Sequence, residues 1–160
     1  MTSEHLGWAS HFARQYDQAI EHYRRMLAME PTFAAGHVRI AHTYEQKGML
    51  AEAIAEFTKA SELSRGQTGV AHLAHALALA GRVGEARETL RRLESAPRPA
   101  AYDIAVVYVG LGGKEAAFGW FEKAVEQRSN FGQLTINVDP RLDSVRSDPR
   151  FQSLLRRIGL

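Results

Sequence analysis

Between Val38 and Leu63 the apolar residues fall three or four positions apart. Val38, Ile40, Ala41 and Tyr44 form one set, and Ala53, Ile54, Phe57, Ala60 and Leu63 form another, with Gly48 between them. Alternating strands would show a period of two; this spacing places each set on one face of a helix. Gly48 reads as the stop between the two helices, because glycine accepts the left-handed conformation that closes a helix C-terminus. Ala41 and Ala53 mark where two helices joined by a short turn approach closely, and Tyr44 and Phe57 fill the space farther out. The same pattern along the chain predicts helices over about 3–13, 17–30, 34–47, 51–63, 68–80, 84–95, 100–111 and 115–127.

The pattern also recurs in register. Tyr16-Asp17-Gln18-Ala19-Ile20 returns as Leu50-Ala51-Glu52-Ala53-Ile54, then as Val83-Gly84-Glu85-Ala86-Arg87 and Lys114-Glu115-Ala116-Ala117-Phe118. The alanines Ala19, Ala53, Ala86 and Ala117 are separated by 34, 33 and 31 positions. A period of this size marks a solenoid, in which each unit buries its apolar face against its neighbours. Four units are expected at about 1–31, 34–64, 68–95 and 100–127, giving a repeat region over 1–127. Pro31 stops the second helix of the first unit, and Pro97-Arg98-Pro99 forms a stiff connector after the third.

Residues 128–160 differ in character and are expected to form a turn and a capping helix. Asn130-Phe131-Gly132 reads as a turn and Asp139-Pro140-Arg141-Leu142 as a short helical start. Asp148-Pro149 combines an N-cap residue with proline at the first helical position. The helix that follows, about 149–158, carries Phe151, Leu154, Leu155 and Ile158 on one face. Arg156-Arg157 sit near its C-terminus, where they suit the helix dipole.

Composition narrows the function more than it names it. The net charge is +2 despite a pI near 9.1, too weak a balance to argue for nucleic acid or an anionic membrane. The pairs Arg24-Arg25, Arg91-Arg92 and Arg156-Arg157 are scattered and interleaved with Glu21, Glu88 and Glu94, as on solvated helix faces. There are no cysteines, which excludes disulfides, thiolate metal sites and cysteine nucleophiles. No run approaches the ~18 apolar residues of a membrane span, and the N-terminus lacks a basic region followed by an apolar run. A cytoplasmic protein is expected. No Ser-His-Asp or other nucleophile constellation stands out, and Glu52/Glu56 and Glu85/Glu88 read as exposed pairs; no enzymatic activity and no cofactor are expected. Gly110-Leu111-Gly112-Gly113-Lys114 is followed by Glu115 where a phosphate loop needs Ser or Thr, so it reads as an inter-helix turn.

Leu6-Gly7, Ala19, Tyr23 and Pro31, and again Ile40-Ala41, Tyr44, Gly48, Ala53, Phe57 and Ala60, resemble the tetratricopeptide repeat. Departures are Met26 in place of a small residue and Arg14 in place of the inter-helix glycine. The resemblance implies an all-α, right-handed superhelical solenoid of about four helix-turn-helix hairpins with a C-terminal capping helix. The tail is similar to the C-terminal ends of tetratricopeptide regions in bacterial signalling and regulatory proteins, which implies a bacterial chain related to the sensory half of a larger regulator.

The resemblance also implies that the first helix of each hairpin lines a concave groove, here with Trp8, His11, Phe12, Arg39, His42, Glu45, Gln46, His72, His75 and Asp103. Such a mixture suits a protein segment or peptide, with Arg39 set to pair with a carboxylate and Trp8 offering broad apolar area. Tetratricopeptide proteins that clamp chaperone tails use Lys and Asn at positions that here hold Glu4, Trp8, Arg39, Thr68 and His72, so that ligand is rejected. Two alternatives stand beside the groove. Leu6, Phe12 and Met26 at an uncapped N-terminal end would support self-association into a homo-oligomer. His42, His72 and His75 on one concave wall would form a metal or pH sensor, although no carboxylate or thiolate completes a metal site. His5, His22 and His37 look incidental.

Overall fold

Short turns force consecutive helices into contact, and small residues set how near they come. In the computed structural model, which describes residues 3–127, 136–137 and 139–160, four hairpins follow one another. They are α1 (Ser3–Phe12) with α2 (Tyr16–Met29), α3 (Ala34–Gln46) with α4 (Leu50–Leu63), α5 (Val70–Leu79) with α6 (Val83–Glu94), and α7 (Ala101–Gly110) with α8 (Lys114–Glu126). A 3-10 turn, Pro140–Leu142, and α9, Pro149–Arg157, complete the chain. The turn read at Asn130-Phe131-Gly132 lies outside the described residues, among which there is no strand. The result is an all-α solenoid of helical hairpins, as the period predicts.

The inter-helix turns share one backbone device. Gly48, Gly81 and Gly112 have φ of 75°, 76° and 74°, and Arg14, at the same point of the first hairpin, is held at 59°. Arg14 therefore occupies a conformation that costs a residue with a Cβ about 1–2 kcal/mol. Helix α5 starts at Val70, two residues later than the spacing predicts, because Gly69 sits at φ 89° and Thr68 donates its N–H to Ser64 Oγ at 2.9 Å.

Two cores result. Ala19, Tyr23, Ile40, Ala41, Tyr44, Ala53 and Phe57 are buried together in the first two hairpins. Met26 joins them: it is 6% exposed, and its Cε fills the space beside Gly36, where a Cβ would approach to 2.5 Å. Met26 thus packs at the junction of the first and second hairpins rather than facing an open end. Arg24, read as solvated, donates to the Tyr44 hydroxyl. At the other end Tyr102, Phe118 and Phe121 pack with Ile136, Leu142, Val145, Phe151, Leu154 and Leu155. Arg150 pairs with Glu115 at 2.8 Å and lies over Phe118, and Arg157 pairs with Glu122, so α9 is tied to α8 along its length.

Three substitutions check this packing by urea unfolding. Gly36→Ala drives a methyl into Met26 and should cost about 1–3 kcal/mol. Ala53→Arg places a charge at a fully buried contact and should cost about 4 kcal/mol or more. Arg14→Gly relieves the left-handed strain at some cost in unfolded-chain entropy and should gain roughly 0.5 kcal/mol.

Candidate functional site

The first helices of the hairpins lie side by side, α1 against α3 and α5 against α7, and the 3-10 turn packs on α7. The turn begins at Asp139, whose side chain accepts the Arg141 N–H at 3.0 Å, with Pro140 at the first helical position. Leu142 and Val145, both buried, hold the turn in the C-terminal core. That anchoring directs Arg141 onto the concave face.

Arg141 is the centre of a polar network. Its Nε and Nη2 donate to Asp139 at 2.9 and 2.7 Å, and its Nη1 donates to His72 Nδ1 at 2.9 Å. The Tyr102 hydroxyl donates to Asp139 at 3.0 Å. Arg141 and Asp139 side chains are 12% and 6% exposed. Burial alone would raise Asp139, but the Arg141 charge and its hydrogen bonds outweigh this and hold the carboxyl below its usual range. The converse applies to Arg141, which burial would lower and Asp139 raises. Burial raises Tyr102, and it raises Asp103 against the opposing charge of Arg141.

The histidines sit inside this network. His42 and His72 stack edge to face at 4.5 Å, and His42 also meets Phe57 at 5.1 Å. Burial, then the charge of Arg141, lowers His72 to about 3. Burial, then His72, lowers His42 well below the ordinary imidazole value. His11, lowered by burial, makes a 3.0 Å hydrogen bond to the Thr43 hydroxyl.

The ten residues read from the sequence therefore divide. Trp8, His11, Phe12, Arg39, His42 and Gln46 line one cleft of about 150 Å³, closed by Asp139, Pro140 and Arg141. Glu45, Gln46 and His75 line a second, on the other side of Arg141. His42 and His72 are part-buried and His75 is 2% exposed, so they do not present three open imidazoles on a wall. Among the described residues no three His, Asp or Glu side chains form a group able to hold a metal ion. Asp103 is half-buried on α7 and feels Arg141 and Asp139.

Sequence reading missed Asp139, Pro140 and Arg141 as groove residues, and it passed over His37. That ring is 3% exposed, with Nδ1 2.5 Å from Glu56 and Nε2 2.9 Å from the Pro31 carbonyl, and it ties α3 to α4. The signal for Arg141 was the apolar pair Leu142 and Val145 flanking an Asp-Pro-Arg turn.

Residues 13–67 match the family model of the tetratricopeptide repeat. Among solved structures, the crystal structure of MamA superposes with a TM-score of 0.54 at 18% identity, covering 96% of this chain and 92% of that chain. This likeness extends to the fold. No curated protein matches the chain. The tetratricopeptide match thus covers α2, α3 and α4, and the hairpins described above continue the same helix-turn-helix form as an all-α solenoid. Among the described residues no helix is long and apolar enough to cross a membrane.

The network makes two measurable demands. Arg141→Met strands the buried Asp139 carboxylate and should cost about 3 kcal/mol, whereas Arg141→Met with Asp139→Leu should recover most of it. In acid, the unfolded chain takes up protons at His42 and His72 below pH 6.5 that the folded chain refuses. Stability present above pH 6.5 is therefore lost as the pH falls towards 4, by at most about 1.4 kcal/mol per pH unit for each histidine. Urea midpoints between pH 7 and 4 should show a shallower slope in His42→Leu.

Proposed function

We propose that this chain is a non-catalytic protein-interaction scaffold that takes a short protein segment against the N-terminal half of its concave face. The observation that carries this reading is the Trp8–Phe12 pair. The two rings meet edge to face at 4.8 Å and remain 52% and 42% exposed. They stand on the wall of the first cleft beside Arg39 and Gln46. Exposed aromatic area of this kind, on a rigid helical wall and next to a guanidinium, has the composition of a binding hot spot. A preformed curved surface also lowers the ordering cost of association.

The Asp139–Arg141 turn limits what fits. Because it crosses the face beyond the cleft, a segment that enters beside Trp8 meets Pro140 and Arg141. The reading is thus of an apolar anchor seated against Trp8 and Phe12 with a carboxylate near Arg39, over a few residues.

Affinity capture from cells of the source organism, with wild type and Trp8→Ala/Arg39→Glu as baits, tests it. Circular dichroism first establishes that both baits fold alike. A partner held by wild type and reduced at least about tenfold on the variant is the expected result. Equal recovery on both baits overturns the reading, and recovery of only the chain itself on both favours self-association instead.

A further inference from the structure

The second cleft, about 300 Å³, lies across Arg141 from the first and is lined by Glu45, His75, Leu79, Val109, Asp143 and Ser144. Its floor holds a carboxylate that the fold does not satisfy. The Glu45 side chain is 1% exposed, and among the described residues neither of its oxygens has a hydrogen-bond partner. His75 Nδ1 stands 3.1 Å from Glu45 Oε1 but outside the angles of a hydrogen bond, and it too is unpartnered.

The described charged side chains that line this cleft are two carboxylates and one guanidinium, with His75 beside Glu45. Glu45 and Asp143 face the cleft, and Asp143 also pairs with Arg146 at 3.2 Å; among the described residues the cation lining the cleft is Arg141, whose Nε and Nη2 are already committed to Asp139. A low-dielectric pocket with excess negative charge concentrates positive charge at its mouth. There Asp143, although paired through one oxygen with Arg146, keeps its side chain 57% accessible for a direct contact. Leu79, 46% exposed, and Val109 supply an aliphatic strip beside these carboxylates. An apolar strip leading to an acidic mouth is the complement of a flexible methylene stem that ends in an ammonium.

We propose that this cleft receives a lysine side chain of the bound protein segment, with Asp143 and the Ser144 hydroxyl meeting the ammonium and Glu45 acting as the buried counter-charge. The proposal rests on the reading that the concave face binds a protein segment, and it adds the partner's chemistry. Gln46 lines both clefts, so the segment that places an apolar anchor at Trp8 carries its lysine on the far side of Pro140–Arg141.

The test is a titration of the ¹⁵N-labelled full chain with Nα-acetyl-lysinamide, with uncharged Nα-acetyl-norleucinamide as the control and magnesium chloride as a separate arm. Saturable shifts at the amides of His75, Gly110, Asp143 and Ser144 with the lysine probe alone are expected. Asp143→Asn, a surface change that leaves the core untouched, should weaken them about tenfold, the size of one charge-assisted hydrogen bond. Glu45→Gln should weaken them by a similar factor. Equal shifts with norleucinamide, a response to magnesium and none to the amine, or indifference to Asp143→Asn each overturn the proposal. Trp8→Ala/Arg39→Glu should leave the lysine response intact, so failure at the first cleft and failure at the second are told apart.

Discussion

A guanidinium that leaves water keeps its charge, so it must be met by counter-charge and acceptors wherever the chain puts it. Arg141 is such a group, and the arrangement of the concave face follows from meeting its demands. Asp139 takes two of its donors and His72 the third. For Nδ1 of His72 to accept, the ring must be neutral, and the same guanidinium keeps it so. His42 stacks on that ring and is held neutral in turn. Tyr102 completes Asp139 from α7. One residue in a three-residue turn thereby connects α3, α5 and α7 across a face that the hairpins alone would leave as an open groove.

The hairpins obey a simpler constraint, that of volume. Each inter-helix contact pairs a residue without bulk with one that fills the space. Gly7 accepts the Tyr23 ring, against which a Cβ would stand at 2.6 Å, and Gly110 accepts His75 at 2.7 Å. Met26 is instructive because it departs from the small residue usual at its position. The departure is absorbed by Gly36 on the facing helix, and the interior stays filled. The period in the sequence is the record of these pairings, which is why it survives where individual residues change.

What was legible in the chain was what local chemistry determines. Helix spacing, the left-handed turn positions and the Asp-Pro start of α9 each depend on residues within a few positions of one another, and each appears where the pattern places it. Asp139-Pro140-Arg141 and Asp148-Pro149-Arg150 show the limit. Both start a helical turn with the same cap, and in both the arginine folds back on its aspartate. One arginine is buried against His72, 69 positions away, and the other is exposed against Glu115. No local feature separates them; only the fate of the apolar residues that follow does. The groove histidines were misjudged for the same reason. As residues of an open wall they would be solvated, and the tail that covers them comes from the far end of the chain. His37 was missed because its partner, Glu56, belongs to the facing helix of its own hairpin.

Stability gives no reason for such a polar interior. Apolar residues of similar volume in place of Asp139, Arg141 and His72 would pack at least as well, since a buried ion pair is rarely worth more than its desolvation cost. What the polar version provides is direction. Leu142 and Val145 fix the turn to the last hairpin by contacts that tolerate sliding, whereas a bidentate aspartate and a ring nitrogen at 2.9 Å allow Arg141 one position. A surface that keeps one shape needs its polar groups held in one place. Pro140 and Arg141 line both clefts, and the burial of the turn they belong to is the means by which a segment from the far end of the chain becomes part of that surface.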